Sequence, residues 1–398
     1  MNYRFITSCF WIGLLFLGTD ARAAYSCDIS DTTGYVPIPQ PAKTGKYLVG
    51  AFRCSLWNQE ERPGSWDPIK AFPERKPVLG WYNEGTPEVT DWEIKYAVEH
   101  GISFFVECWF RKKDNAGKPV EAVLDGWLHD GFFKSKYQDS MKFMILWENL
   151  NKIASGVSSE EDMLQNLLPY WINNFFTKNS YLKIDGKPVL MVYGYDKLIR
   201  DLGGKEKAAQ IIRLMKQACV KAGLNGLLLM AESHGNVSHA LPDPKDIGFD
   251  VITSYHWPSF SGLMPKPHAQ QATIIRDQTS CWQQLQKQAG LPAVATMSMG
   301  WDSRPWGSSY YKGAWYLEPA YFQKLCQFAK AWVDKPIRES AFSNMVLIDN
   351  WNEFGEGHYI FPHQKFGFGY LDAIRSVFST STEVHTDIIP EDIGLGPY

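Results

Sequence analysis

The chain reads as a single-domain α/β protein, a (β/α)8 (TIM) barrel with long, aromatic-rich loops after its strands. Three observations predict this. Short apolar runs rich in β-branched residues alternate with amphipathic segments, the pattern of a parallel sheet covered by helices. The 398 residues accommodate such a barrel, which takes about 250 residues and tolerates insertions, and no internal repeat or second domain interrupts the alternation. Polar residues also gather just past the end of each apolar run, where this fold keeps its sites, while the opening side of the runs carries few acids.

Taken in order, residues 1–23 read as a secretory leader. Arg4 supplies the positive end, Phe5 to Gly18 the apolar region and Ala21-Arg22-Ala23 the A-x-A cleavage pattern. The run is too short for a membrane span. A lipid anchor at Cys27 is the alternative, opposed by the lack of a leucine three places before it. Residues 24–46, rich in Pro and Thr, read as a tether. The body is expected over 47–379 and a surface tail over 380–398. Eight strands are expected at 47–52, 103–107, 142–146, 188–193, 226–231, 250–255, 293–299 and 345–348. Helices are expected from Thr86 to Gly101, with Pro87 in the first turn and a stripe of Val89, Trp92, Tyr96 and Ala97, then at 159–177, 205–222, 269–288 and 319–333, with Leu371, Ile374 and Phe378 marking the last.

Composition narrows the partner. A net charge of −3 without a basic run argues against nucleic acid. Aromatic residues make up 15% of the chain, with 16 Trp, more than a barrel core needs, and flat rings at a mouth stack on sugar faces. Of the seven cysteines, Cys9 lies in the leader. The others are widely spaced with no C-x-x-C, so free buried thiols are expected. No H-E-x-x-H and no Cys/His cluster at zinc spacing appears, so no metal or other cofactor is expected in catalysis. A monomer is expected.

Strand ends should converge on one mouth. They carry Glu107 and Trp109, Trp147 and Glu148, Tyr193, Glu232 and His234, Tyr255 and His256, Trp301 and Asp302, and Asn352 to His358. Each alone reads as a helix cap or a satisfied core residue; jointly they read as a binding site for an oligo- or polysaccharide. Two long loops overhang it. Residues 53–83 bring Trp57, Trp66, Trp81 and Tyr82, and residues 300–317 bring Trp301, Trp306, Tyr310, Tyr311, Trp315 and Tyr316.

The richest stretch follows the eighth run: D-N-W-N-E-F-G-E-G-H, residues 349–358. Two glutamates three positions apart suit a sugar-cleaving pair. N-E-F-G-E-G-H resembles the N-E-W-H-E-G motif of glycoside hydrolase family 99, the endo-α-mannosidases, and more closely the WbsX-like relatives of that family. Gly80 to Phe110 resembles the opening strand and helix of the WbsX group, and G-W-D-S-R-P at 300–305 its G-W-D-x-x-P. The resemblance implies a glycoside hydrolase acting on an α-linked glycan with retention. It implies that Glu356 is the general acid/base, and that Glu353 takes the proton from the sugar's own 2-hydroxyl to give a 1,2-anhydro intermediate. Asn352 is expected to orient Glu353, with Tyr255, His256 and Asp302 on substrate hydroxyls. Phe354 and Gly355 stand where the motif has Trp and His, which puts mannose in doubt. A WbsX-type glycosyltransferase and a barrel that binds carbohydrate without cleaving it are the rivals; an export leader opposes the first, and retention of both acids the second.

Overall fold

The computed structural model describes residues 34–150, 152–234, 244–257, 268–307 and 313–398. The expected leader, Cys27, Tyr310 and Tyr311 lie outside them.

Eight parallel strands form the barrel: β1 Leu48–Arg53, β2 Phe104–Arg111, β3 Lys142–Glu148, β4 Lys187–Val192, β5 Leu228–Glu232, β6 Val251–Thr253, β7 Ala295–Ser298 and β8 Met345–Asp349. They pair in the order β6-β5-β4-β3-β2-β1-β8-β7. The seam between β6 and β7 closes through Ile252 N–H to Pro292 O (3.1 Å) and Val294 N–H to Ile252 O (3.0 Å). The expected barrel is therefore present, and its strands are near-continuous apolar runs because both faces are covered.

The longer helices are α1 Pro87–Glu99, α2 Lys205–Lys221, α3 His268–Ala289, α4 Pro319–Asp334 and α5 Gly369–Phe378, with short ones at Asp67–Lys70, Leu168–Trp171 and Tyr195–Asp201. Thr86 holds the extended cap position before α1, and Gly101 (φ +86°) turns the chain out of it. The eight uniform units expected from the alternation are not all there. Between β2 and β3 the chain pairs Ala122–Val123 antiparallel with the end of β2 and then makes short turns over Trp127–Lys134 and Gln138–Ser140, and the helical stretch after β3 opens into wide turns at Asp162–Leu167 and Ile172–Phe176. Bulky rings explain this: Trp127, Phe132, Trp171, Phe175 and Phe176 are all buried there, and regular α turns would compete with their packing.

Both ends of the described chain lie along α1. Residues 34–46, expected as a tether, are docked: Val36 is buried, Tyr35 donates to Asp91 (2.6 Å), and Ala42 N–H donates to Val98 O (2.8 Å). The segment after Ser379 returns over the surface, and Tyr398 N–H donates to Leu79 O (2.8 Å). Five cysteines, Cys54, Cys108, Cys219, Cys281 and Cys326, are free thiols. Among the described residues, no helix is long and apolar enough to cross a membrane.

Candidate active site

Strand β8 ends in Asp349, and the loop after it folds into a tight turn. Glu356 N–H (3.2 Å) and Gly357 N–H (3.0 Å) both donate to Glu353 O, and Glu353 bridges back to His358. This turn brings both glutamates to one side. One oxygen of each carboxylate and a ring nitrogen of His358 lie within 4.8 Å of one another.

The two glutamates are in different surroundings. Glu353 is buried, and its Oε2 has no hydrogen-bond partner among the described residues. Burial, then the neighbouring Glu356, raise its pKa to about 7, against the opposing pull of His358. Glu356 has a side chain 30% exposed and accepts from His358 Nε2 at 2.9 Å. The other ring nitrogen of His358 bonds Asp349. Burial alone would lower the His358 pKa, but Asp349 and Glu356 raise it to about 10, so the ring is an imidazolium between two carboxylates. Asp349, fully buried, also takes His256 Nδ1 and Ser298 Oγ (2.6 Å). Burial would push Asp349 up; His358 and His256 instead hold it well below the ordinary carboxylate range. A chain of polar contacts thus runs from the barrel interior to Glu356.

Rings frame this centre. Trp301 stacks on His358 (centroids 5.3 Å) and lies beside His256 (4.8 Å), while Tyr255 lies edge-on to His358 (6.0 Å) and to Tyr193 (6.0 Å). Tyr255 OH accepts from Asn350 Nδ2 (2.7 Å). Trp306 covers the loop from above. A Cβ built on Gly355 would stand 2.0 Å from Trp306 Cζ2, so the indole occupies the space a side chain at 355 would need. Gly357 (φ +75°) is likewise required, since a Cβ there would meet Asp302 N at 2.6 Å.

Several expected contact residues are elsewhere. Trp57, Tyr82, Trp109 and Trp147 are fully buried and offer no face to a sugar; Trp57 stacks on Trp66 (3.9 Å), and Trp109 and Trp147 pack on Trp171. Trp81 is half-buried against Trp66. Glu107 points to the helix layer: it pairs with Arg53, which also meets Glu84 of the loop before α1 and Glu93 of α1, and all four side chains are 0–1% exposed. Burial raises Glu107 to about 8 and Glu84 to about 7, partly offset by Arg53. Glu232 is buried and braces strand ends, accepting from Tyr255 N–H (2.7 Å) and His234 N–H (2.8 Å) and pairing with His234. Glu148 accepts from Leu150 N–H (2.7 Å) at the mouth's far side, near Tyr193 and His234. Asn352 clamps the loop to β1 through Cys54 N–H (3.0 Å) and Cys54 O (2.9 Å), so its amide is committed to backbone rather than to Glu353. Asp302 is held by Arg75 and Arg304, which lower its pKa despite burial.

Asp349, Ser298 and Arg75 were given no role on sequence grounds. Asp349 carried a signal, being an acid at the inner end of an apolar strand. Arg75, buried, donates to Phe354 O (2.7 Å) and Asp302 O (3.0 Å), joining the two loops that flank the acids. A cavity of about 340 Å³ lies behind this junction, lined by Arg75, Asp302, Tyr316, Tyr359 and Lys365 among others. Neither glutamate lines it, so the carboxylates rather than the cavity mark the candidate reacting centre.

Solved structures share this fold. A chain described as a glycoside hydrolase-like protein is 16% identical with a TM-score of 0.57, over 88% of this chain and 98% of that one. The GH99 endo-alpha-mannosidase from Bacteroides thetaiotaomicron is 15% identical with a TM-score of 0.55, over 84% and 97%. The uncharacterized protein WxcX of Xanthomonas campestris pv. campestris is 24% identical over 333 residues, covering 78% of this chain and 44% of that protein. The chain thus spans under half the length of that relative. The family model described as "Glycosyltransferase WbsX" matches residues 72–374, and the chain belongs to this WbsX family.

Proposed function

We propose that the protein is an exported glycoside hydrolase that cleaves an α-linked glycan with retention through the substrate's 2-hydroxyl. The observation that carries this reading is the pair itself: a buried, under-bonded Glu353 beside a Glu356 held by an imidazolium. A base with a pKa of about 7 is strong enough to draw a proton from a sugar hydroxyl near neutral pH and weak enough to be unprotonated there in part. Glu356 is the more exposed of the two and suits passing a proton to the departing oxygen, a proton it takes from Nε2–H of the His358 imidazolium. Asp349 holds that ring in place at its other nitrogen.

The spacing supports retention. Inverting enzymes keep their carboxyl groups about 6.5–9.5 Å apart to admit a water, and here an oxygen of each lies within 4.8 Å of the other. Both acids also rise from one turn rather than from opposite walls, which suits a nucleophile carried by the sugar. The fold shared with an endo-α-mannosidase supports the substrate class, α-linked glycans.

The family's description as a glycosyltransferase favours a second reading. The leader-like residues 1–23 oppose it, since nucleotide-sugar donors are cytoplasmic. Purified protein lacking residues 1–23 is to be incubated with a panel of α-linked polysaccharides and, separately, with nucleotide sugars and acceptors. Release of reducing ends by the native chain but not by Glu353→Gln supports the hydrolase. Transfer from a nucleotide sugar without glycan cleavage would replace it.

A further inference from the structure

Away from the mouth, four side chains from three distant parts of the chain meet at the other end of the barrel. His100 caps the C-terminus of α1 just before β2 begins, Asp372 lies on α5, and His385 and Asp387 belong to the C-terminal segment. His100 is fully buried. Its Nδ1 lies 2.7 Å from Tyr96 O, and a carbonyl can only accept, so Nδ1 carries the hydrogen. That leaves Nε2 as the outward-facing nitrogen, and it has no hydrogen-bond partner among the described residues. Carboxylates are close but off its bonding line: Asp387 Oδ1 at 3.2 Å and Asp372 Oδ1 at 3.6 Å. His385 Nε2 lies 3.1 Å from the same Asp387 oxygen. The two imidazoles stand edge to face, with centroids 4.9 Å apart and planes at 89°.

We propose that His100, His385 and Asp387 form a structural site for a divalent transition cation of the zinc type, whose fourth position is left to water beside Asp372. Zinc holds nitrogen and carboxylate oxygen at about 2.0–2.1 Å in a tetrahedron, whose edges are then about 3.3–3.4 Å. The separations of 3.1 and 3.2 Å from Asp387 Oδ1 to the two imidazole nitrogens lie close to that edge. The Nδ1 contact to a main-chain carbonyl is the support that fixes the tautomer and aim of a ligating histidine. Two imidazoles and a carboxylate suit zinc better than calcium or magnesium, which favour oxygen alone. Such an ion would pin the C-terminal segment to α1 and α5 and take no part in the chemistry of the mouth. The spacing scan for zinc motifs could not find it, because His100 is nearly three hundred residues from His385 in the sequence.

The competing arrangement has no ion: a protonated His100 neutralises Asp372 and Asp387 directly. Burial lowers the pKa of that ring, but the two aspartates outweigh it and raise it to about 9. Zinc titration into chelator-dialysed protein, followed by calorimetry and thermal melting, separates the two, with cobalt absorption as a check of tetrahedral geometry. The expected result is about one zinc per chain with a rise in melting temperature. His385→Ala and Asp387→Asn, both outside the barrel core, each weaken binding by about 100-fold or more, whereas His358→Asn, which removes a donor shared by both His/carboxylate clusters at the mouth, retains it and so excludes them. Absence of zinc binding, or binding that survives both His385→Ala and Asp387→Asn, would overturn the site.

Discussion

At Gly355 the lack of a side chain has a partner elsewhere in the chain. Trp306 lies where a Cβ would sit, so the loop after β7 presents its indole beside the acids in place of the imidazole of the resembling motif. Gly355→Ala is expected to displace that indole and raise KM by up to about tenfold, the scale of one aromatic face, and Trp306→Ala should do the same. Combining them should cost little more than either alone; additive losses in KM would show that the two positions act separately. For the acids, Glu353→Gln and Glu356→Gln should each lower turnover by about 10²–10⁴-fold in a folded protein. His358→Asn tests the imidazolium. Its charge opposes the rise in the Glu353 pKa, so the acid limb of kcat/KM, expected near 7, should move to higher pH; an unmoved limb would mean that Glu353 is not the titrating base.

Among the elements, strands and long helices were legible because periodicity and burial agree there: α1, α2, α3 and α4 match their expected spans to within a residue or so. The crossover after β2 was not, since Trp127 and Phe132 pack as single buried rings rather than as a stripe. For the site, position along the chain revealed which residues follow a strand but not which way they face. Alternation sends Glu107 outward to Arg53 and α1, whereas Asp349 points inward to His256 and His358. Aromatic count misled for the same reason. Trp315 is 1% exposed and packs near His256, while Trp306 is only half-buried. Trp315→Ala should therefore cost about 3–5 kcal/mol of stability, measured by denaturant unfolding, and Trp306→Ala far less; equal losses would return Trp306 to the packing.

For the whole molecule, the buried titrating groups impose a common pH dependence. Glu353, Glu84 and Glu107, raised to about 7, 7 and 8, bind protons in the folded state that the unfolded chain gives up near 4.5, so folding weakens as pH rises through that window. His358, raised to about 10, contributes stability that is complete below 6.5 and lost as pH rises toward that value. His363, lowered to about 4, acts oppositely and weakens the fold below 6.5. The melting temperature should hence be higher at pH 6.5 than at pH 9, and a flat or rising profile would contradict the assigned burial. The central claim is that two acids on one turn use the sugar's own 2-hydroxyl as nucleophile. Proton NMR of the first-formed anomer on the cleaved glycan tests it most directly: retained configuration is predicted, with a 2-deoxy substrate inert, and an inverted initial product would contradict the account.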